Sequence, residues 1–193
     1  MKIKALAALV KETGILNIYN VVDAEGVVTQ WAGDIKAIYP LHGYPIVDAS
    51  QLLRMMDIPE KDHKKYATQT LENAEIMESF RPKFNEYWDG ESDDADLRLD
   101  SSIIISWMDD HMYILYGQDG QFVCALQTSL LKPLSKAEDE PRFFRRGDII
   151  AIKQGLLLAG LVSPIRLSIK SSFTDKLIEL GSQIQMIRED DKT

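Results

Sequence analysis

A chain of 193 residues has the length of one ordinary domain, and two small subdomains would also fit within it. Its hydrophobic content of 45% and charged content of 27% are typical of globular proteins and exclude disorder over the whole length. The formal net charge of -8 excludes nonspecific nucleic-acid binding by the whole surface, and the single cysteine excludes a disulfide framework. That cysteine, Cys124, lies in an apolar run, so we expect a buried and unreactive thiol.

Residues 2–12 are predicted to form the first helix, because Ile3, Leu6 and Val10 fall on one face at helical spacing. Two lysines before an apolar stretch imitate a signal peptide, but charged residues break the stretch and no cleavage site follows. We therefore expect a helix of the mature fold and a cytoplasmic protein. Gly14 is placed to end this helix in a left-handed conformation.

A hairpin is predicted over 15–31, around an acidic turn that ends in Gly26. A second hairpin is predicted within 112–126, around an acidic turn that ends in Gly120. Each hairpin is followed by a short apolar segment that contains a proline-leucine pair. An internal duplication is therefore a hypothesis, although the lengths between the two copies do not match.

The region between the hairpins carries three further signals. The pair at 33–34, Gly-Asp, predicts a turn into a strand that Pro40 ends. Asp48 is a good helix start, because Gln51 follows at the third helical position as in a capping box. Another helix is predicted over about 59–68, with a proline in its first turn.

Strands over 102–107 and within 112–126 form a predicted meander, and two buried strands are predicted within 149–162. A last helix is predicted over 173–187. This order predicts an α+β fold with antiparallel sheets and short helices packed on them, as one domain over 1–193. A DNA-clamp-like fold would show the same order of elements. We expect no membrane association, since the longest apolar run is shorter than the roughly 20 residues that span a bilayer.

The segment 86–100 carries seven acidic residues against one basic residue. Its composition predicts a solvated loop, which would be the boundary if the chain has two subdomains. Four of its acids match positions 1, 3, 5 and 12 of a calcium-binding loop. They are Asp89, Glu91, Asp93 and Asp100. Asp94 stands where the calcium loop requires glycine, so a solvated run of charge is the alternative to a metal site.

The segment 142–146, with the sequence RFFRR, is a candidate nucleic-acid site. Arg142, Arg145 and Arg146 would hold phosphates while Phe143 stacks on bases. In the alternative interpretation, Phe143 and Phe144 point into the core, and the arginines pair with the nearby acids at 138–140.

Other patterns of catalytic residues are not found in the sequence. It contains no phosphate-binding glycine loop, no nucleophilic serine elbow and no HExxH motif. The three histidines, His42, His63 and His111, show no metal-ligand spacing. We therefore assign no catalytic residue and no cofactor, and favour a protein that is not an enzyme.

Two stretches, 29–59 and 153–167, carry a resemblance to a known family. Its residues are TQWAGD at 29–34, IYPLHG at 38–43, DIP at 57–59 and KQGLLL at 153–158. These runs resemble a family of uncharacterised proteins encoded in bacterial prophages and mobile elements. The resemblance implies a phage-related context and carries no activity, so no residue role is transferred.

The expected function is that of a non-enzymatic binding or accessory protein of prophage or mobile-element origin. Its partner would be an unidentified protein or a second copy of the chain, with nucleic acid as a further candidate. Two alternatives stay open. One is a clamp-like DNA-associated accessory factor, and the other is a metal-dependent hydrolase that uses the acids of 89–100.

Overall fold

The computed structural model describes residues 1–23, 25–85, 95–107, 110–134 and 140–165. The predicted C-terminal helix lies outside these residues, as do Asp89, Glu91 and Asp93 of the predicted calcium loop. None of the helices in the described ranges is long and apolar enough to cross a membrane.

The predicted α+β class is confirmed, because one large sheet carries a few short helices. The helices and strands in chain order are α1 Ile3–Thr13, β1 Ile15–Val22, β2 Val28–Gly33, β3 Ala37–Pro40, α2 Ala49–Met55, β4 Ala67–Glu72, β5 Ala95–Trp107, β6 Asp110–Tyr116, β7 Phe122–Gln127, β8 Arg142–Arg146, β9 Ile149–Gln154 and β10 Leu157–Val162. Short 3₁₀ turns occur at Glu60–Lys65, Arg81–Phe84 and Thr128–Leu131. The strand order is β4-β1-β2-β3-β10-β9-β8-β5-β6-β7, and among the described strands every pair is antiparallel except β1 with β4.

The predicted helix ends are confirmed at both α-helices. Gly14 follows α1 with φ 69°, and its N–H donates to the Val10 carbonyl. Asp48 precedes α2 in a complete capping box, since its carboxylate accepts from the Gln51 N–H and the Gln51 side chain accepts from the Asp48 N–H. Local side-chain chemistry therefore fixes where these two helices begin or end.

The two acidic hairpin turns, 23–27 and 117–121, share one backbone geometry. In each turn the N–H of the first residue donates to the carbonyl of the fifth residue, and the N–H of the fourth residue donates to the carbonyl of the first. The fourth residues, Gly26 and Gly120, have φ 82° and 76°, which a glycine adopts without strain. The chain then diverges, since it forms β3 after the first hairpin and a 3₁₀ turn after the second. Turn chemistry alone accounts for the similarity, so the duplication stays a hypothesis.

The sheet curls until its two halves meet. Ile165, three residues after the end of β10, forms an antiparallel bridge with Ala125 of β7. Five inter-strand steps separate these strands in the sheet order, which is about 24 Å across a flat sheet. Three residues of chain reach only about 11 Å. The strands from β10 to β7 must therefore curve around a common interior.

Hydrophobic cores cover both faces of the sheet. The larger core lies on the face that packs against α1 and α2, here called the helix face. A smaller core lies on the opposite face, beneath the segment 73–85, here called the aromatic face. Phe143 and Phe144 mark the division, because these neighbours in β8 belong to the larger and the smaller core respectively.

Two predictions from composition are wrong. The helix predicted over 59–68 is a 3₁₀ turn followed by β4, a polar edge strand held by parallel pairing with β1. The loop predicted over 86–100 is, from residue 95 onward, the first part of β5. Residues 96–100 alternate charged and leucine side chains, and Leu97 is buried opposite Phe143 of β8. The prediction of a loop relied on the number of acidic residues and overlooked this alternation, which is typical of a strand.

Candidate ligand-binding groove

The candidate nucleic-acid segment 142–146 is strand β8, and its arginines do not share one face of the sheet. Successive residues of a strand point to opposite faces. Arg145 is therefore on the helix face with Phe143, whereas Arg142 and Arg146 are on the aromatic face with Phe144. Both phenylalanines are buried, as the core-packing interpretation predicts.

Each of these arginines has a partner within the chain. Arg142 lies 3.5 Å from the Asp96 carboxylate and stacks over the Phe144 ring at 5.1 Å; of the acids at 138–140, the first two lie outside the described residues. Arg145 donates to the Gly147 carbonyl. Arg146 donates to the carbonyls at positions 83 and 85, at 2.7 and 2.9 Å, and so ties β8 to the segment 73–85. Nucleic-acid binding at this strand stays a prediction.

Of the four candidate ligands of the predicted calcium loop, one lies in the described part of the chain. Asp100 lies within β5 and pairs with Ile114 of β6, so the twelfth loop position is in a strand. Among the described residues, no group of three or more His, Cys, Asp or Glu side chains is placed to hold a metal ion. The metal site therefore stays a prediction.

Cys124 lies in β7 with its side chain in the larger core. Burial raises the pKa of its thiol to about 12, although the positive charge of Arg145 acts in the opposite direction. The thiol is therefore protonated at neutral pH and is a poor nucleophile. The predicted burial of this cysteine is confirmed.

A groove of about 340 Å³ lies beside β1, near the strand ends where β3 and β9 begin and β10 ends. Phe80 of the segment 73–85 also lines it. Its lining residues are Asn17, Tyr19, Asp34, Ile35, Lys36, Ala37, Ile38, Phe80, Ile149, Leu161, Val162 and Ser163. The volume is within the range of small-molecule sites, and the walls are mainly aliphatic and aromatic. We identify this groove as the candidate functional site.

Aromatic side chains build one wall of the groove. The centroids of the Tyr19 and Phe80 rings are 6.1 Å apart, and Phe84 packs against both at 5.5 and 5.3 Å. Phe84 also meets Trp31 edge to face, which joins this wall to the smaller core. Burial raises the pKa of the Tyr19 hydroxyl above its usual value, so Tyr19 is neutral at physiological pH.

Asp34, one of the lining residues, is held by a tight turn. A Cβ atom at Gly33 would lie 1.9 Å from the Ala37 carbonyl oxygen, so only glycine fits before Asp34. The Asp34 Oδ1 atom accepts from the Lys36 and Ala37 N–H groups at 2.8 and 2.9 Å. Its Oδ2 atom is buried and has no hydrogen-bond partner among the described residues. Asp34 as a whole is 3% exposed.

The base in the groove lining is already neutralised. Of the described residues that line the groove, Asp34 is the only acid and Lys36 the only base. The Lys36 Nζ atom lies 2.9 Å from a Glu12 carboxylate oxygen. The Asp34 carboxylate is buried and Lys36 is held in an ion pair, so the lining that a bound molecule would meet is mainly apolar. Ile35, which is 66% exposed, lies next to Asp34 in the lining.

No protein-family model, curated protein or solved structure matches this chain. The sequence predicts the turn at Asp34 but indicates no role for Asp34, Tyr19 or Phe80. The signal was the Gly-Asp pair, which requires a tight turn but does not reveal which carboxylate oxygen lacks a partner. The aromatic wall had no signal, because Tyr19 and Phe80 come from distant parts of the chain.

Proposed function

We propose that this chain is a non-enzymatic binding protein of prophage or mobile-element origin, and that the groove binds its ligand. The observation that supports this function is the groove itself, about 340 Å³ of space lined mainly by apolar side chains, with Tyr19 and Phe80 among them. Small-molecule sites combine apolar walls with a few placed polar groups. The proposed origin rests on the resemblance in 29–59 and 153–167, which contain eight lining residues, 34–38 and 161–163.

Binding is favoured over catalysis by the titratable groups of the groove. Acid–base chemistry needs a second group that exchanges a proton near neutral pH. Tyr19 has a raised pKa and retains its proton, and Lys36 is paired with Glu12. The remaining lining acid, Asp34, has one oxygen held by two backbone N–H groups. This set can hold a ligand in place but offers no proton relay.

The test is a titration of labelled protein, followed by ¹H–¹⁵N NMR, with 2-phenylethylamine, 2-phenylethanol and phenylacetate. We expect saturable shifts from at least one probe, clustered at the amides of 17–19, 34–38 and 161–163. Phe80→Ala should weaken that binding about tenfold or more, because it removes part of the aromatic wall. Leu156→Ala is the matched control, since this apolar side chain is exposed and lies outside the lining. Absence of saturable shifts from all three probes would disprove the proposed function.

A clamp-like DNA-associated factor is the second candidate. It is favoured by Arg142, whose side chain is 65% exposed beside a phenylalanine ring on β8. Phosphate contacts weaken steeply with salt, so binding to duplex or single-stranded DNA should be strongest at about 50 mM salt. Arg142→Glu should then reduce binding without unfolding the protein, as exposed substitutions usually change stability by less than about 0.5 kcal/mol. A protein that fails to shift DNA under these conditions would exclude this candidate.

A further inference from the structure

The two edges of the sheet differ in whether another segment covers them. At one edge, β7 forms an antiparallel bridge with Ile165, whose N–H and carbonyl both bond to Ala125. At the other edge, β4 pairs with β1 on one side, and none of the strands in the described ranges lies on its other side. Five of the six β4 residues are exposed. The outer edge of β4 is therefore where another strand could extend this sheet.

The direction of the β4 backbone shows which of its groups face this edge. The Ala67 N–H donates to the Gly14 carbonyl, on the β1 side. Backbone groups alternate in direction along a strand, and the pairing with β1 continues through all six residues without a bulge. Residues 67, 69 and 71 therefore bond to β1, whereas residues 68, 70 and 72 direct their N–H and carbonyl groups outward.

Two of the three outward residues lack partners. At Glu72 the N–H donates to the Glu75 carboxylate, and the carbonyl accepts from the N–H groups of Glu75 and Ile76. Among the described residues, the outward N–H and carbonyl groups of Thr68 and Thr70 have no such partner. Unpaired groups of this kind make a sheet edge a template for pairing with another chain.

The residues in and around β4 favour antiparallel pairing. Residues 67–71 contain no charge, no proline and no bulge, which are the features that prevent pairing at natural edges. The turn before them, Glu60–Lys65, has three lysines and two acids, whereas residues 72–78 have three glutamates and no base. Antiparallel pairing of two copies places the basic end of each strand beside the acidic end of the other, whereas parallel pairing brings like charges together.

From these observations we propose that β4 is a self-association edge, at which two copies of the chain pair antiparallel about a two-fold axis at Gln69. In this register, Thr68 of each copy lies opposite Thr70 of the other. Their outward N–H and carbonyl groups form four hydrogen bonds, which satisfy the four outward groups of each copy. Ala67 lies opposite Leu71 and adds an apolar contact. This contact goes beyond the proposed function, since residues 67–71 do not line the groove.

The size of the contact predicts a weak dimer. Two paired six-residue strands bury less than the roughly 1,200 Å² of a standard interface, so we expect a dimer Kd of about 100 µM. Sedimentation equilibrium of the unmodified protein should show mainly monomer at about 5 µM and mainly dimer at about 500 µM. Added salt should weaken the dimer, because the flanking charges are at the surface.

Thr70→Pro tests whether the outward groups hold the dimer. Proline removes an outward N–H but no bond to β1, and proline is tolerated at such positions of edge strands. Dimerisation should weaken at least about tenfold, since two of the four hydrogen bonds are lost by symmetry. Thr70→Val keeps the N–H and is the matched control, so its dimer should be unchanged. Thermal unfolding of both variants shows whether they are folded.

Disulfide cross-linking tests the register and does not depend on the proline variant. At the two-fold axis the two Cα atoms of residue 69 lie about 4.5 Å apart, a separation that a disulfide spans. Gln69→Cys should therefore form a covalent dimer on mild oxidation at least about tenfold faster than Thr68→Cys, whose two copies lie out of register. Cys124 is buried and does not compete.

Dimerisation of the unmodified protein, with preferential cross-linking at position 69, is the expected result. A protein that stays monomeric at the highest concentration would overturn the proposal, and the edge would then be available to a segment of another protein. A dimer that persists in a folded Thr70→Pro variant would overturn it too. Equal cross-linking rates for Gln69→Cys and Thr68→Cys would do the same, because the copies would then meet elsewhere or in another register.

Discussion

The two faces of the sheet are covered by different kinds of structure. On the helix face, α1, α2 and the 3₁₀ turn after β7 pack over the larger core. The buried Tyr39 hydroxyl there donates to the Leu130 carbonyl at 2.5 Å. On the aromatic face, a single irregular segment, 73–85, covers part of the sheet and leaves the groove open beside it.

This difference indicates how stability and binding are distributed in the molecule. A closed core contributes free energy of folding, but it offers no surface to a ligand. An open groove contributes less to stability, because apolar surface in it stays exposed until a ligand covers it. We therefore expect substitutions on the helix face to change the free energy of unfolding and those in the groove to change binding. The following experiments test that division.

The largest effect is expected from Phe143→Ala. This side chain is 4% exposed in the larger core, so its removal should lower the free energy of unfolding by about 3–5 kcal/mol. Phe80→Ala, on the half-buried groove wall, should cost less than about 2 kcal/mol. Urea denaturation of both variants measures the difference. Equal losses would contradict the division between the two faces.

Gly33→Ala should have the next largest effect and should act on both properties. The new Cβ atom would meet backbone atoms of Ala37 and Ile38 at 1.9–2.8 Å, so the turn must shift at a cost of about 2–3 kcal/mol. Probe binding should be lost, because the shift displaces the lining residues 34–38. Gly26→Ala is the control, since it has the strain of φ 82° but no atom within 4 Å of its Cβ. It should cost only about 1 kcal/mol, read by thermal and urea unfolding, and leave binding unchanged.

The burial of Cys124 in the larger core predicts an effect of pH on stability. Burial raises the pKa of this thiol to about 12, whereas in the unfolded chain it is about 8.5. Between these values the unfolded state binds fewer protons than the folded state, so stability falls as pH rises. The contribution is fully present below about pH 8.5.

Between pH 8.5 and 10, Cys124 should account for a loss of up to about 2 kcal/mol, at roughly 1.4 kcal/mol per pH unit. Cys124→Ala removes the titrating group, and its stability should decline less over that interval. The measurement is urea denaturation at pH 7, 8.5 and 10 for both proteins, compared by slope. Parallel slopes, or rapid reaction of the native thiol with a labelling reagent, would show that the interior is accessible.

The smallest effect is expected from Asp48→Ala at the start of α2. Loss of the capping box should cost about 1 kcal/mol, because the Gln51 N–H loses its carboxylate acceptor. Probe binding should not change, since α2 packs on the helix face. Asp48→Asn keeps an acceptor oxygen and should recover most of the lost stability. A change in probe affinity would show that the two faces are coupled.

Local interactions explain which elements could be predicted. The end of α1 at Gly14, the capping box at Asp48 and the turns at Gly26 and Gly120 each depend on a few neighbouring residues. Strands β9 and β10 were predicted from apolar runs on either side of a Gln-Gly pair. In each case the residues that form the structure are adjacent in the chain, so their pattern is sufficient.

The sequence by itself determined the α+β class, the main helix ends and hairpins, and the burial of Cys124. Only the tertiary structure decided that polar β4 is a strand, because its hydrogen bonds come from β1. It also decided the curl of the sheet, through the bridge between Ile165 and Ala125, and the separation of the β8 arginines between two faces. The groove belongs to this second group, since Tyr19, Asp34 and Phe80 meet only after distant segments have packed. Such contacts depend on the path of the whole chain and leave no periodic signal in the residues that make them.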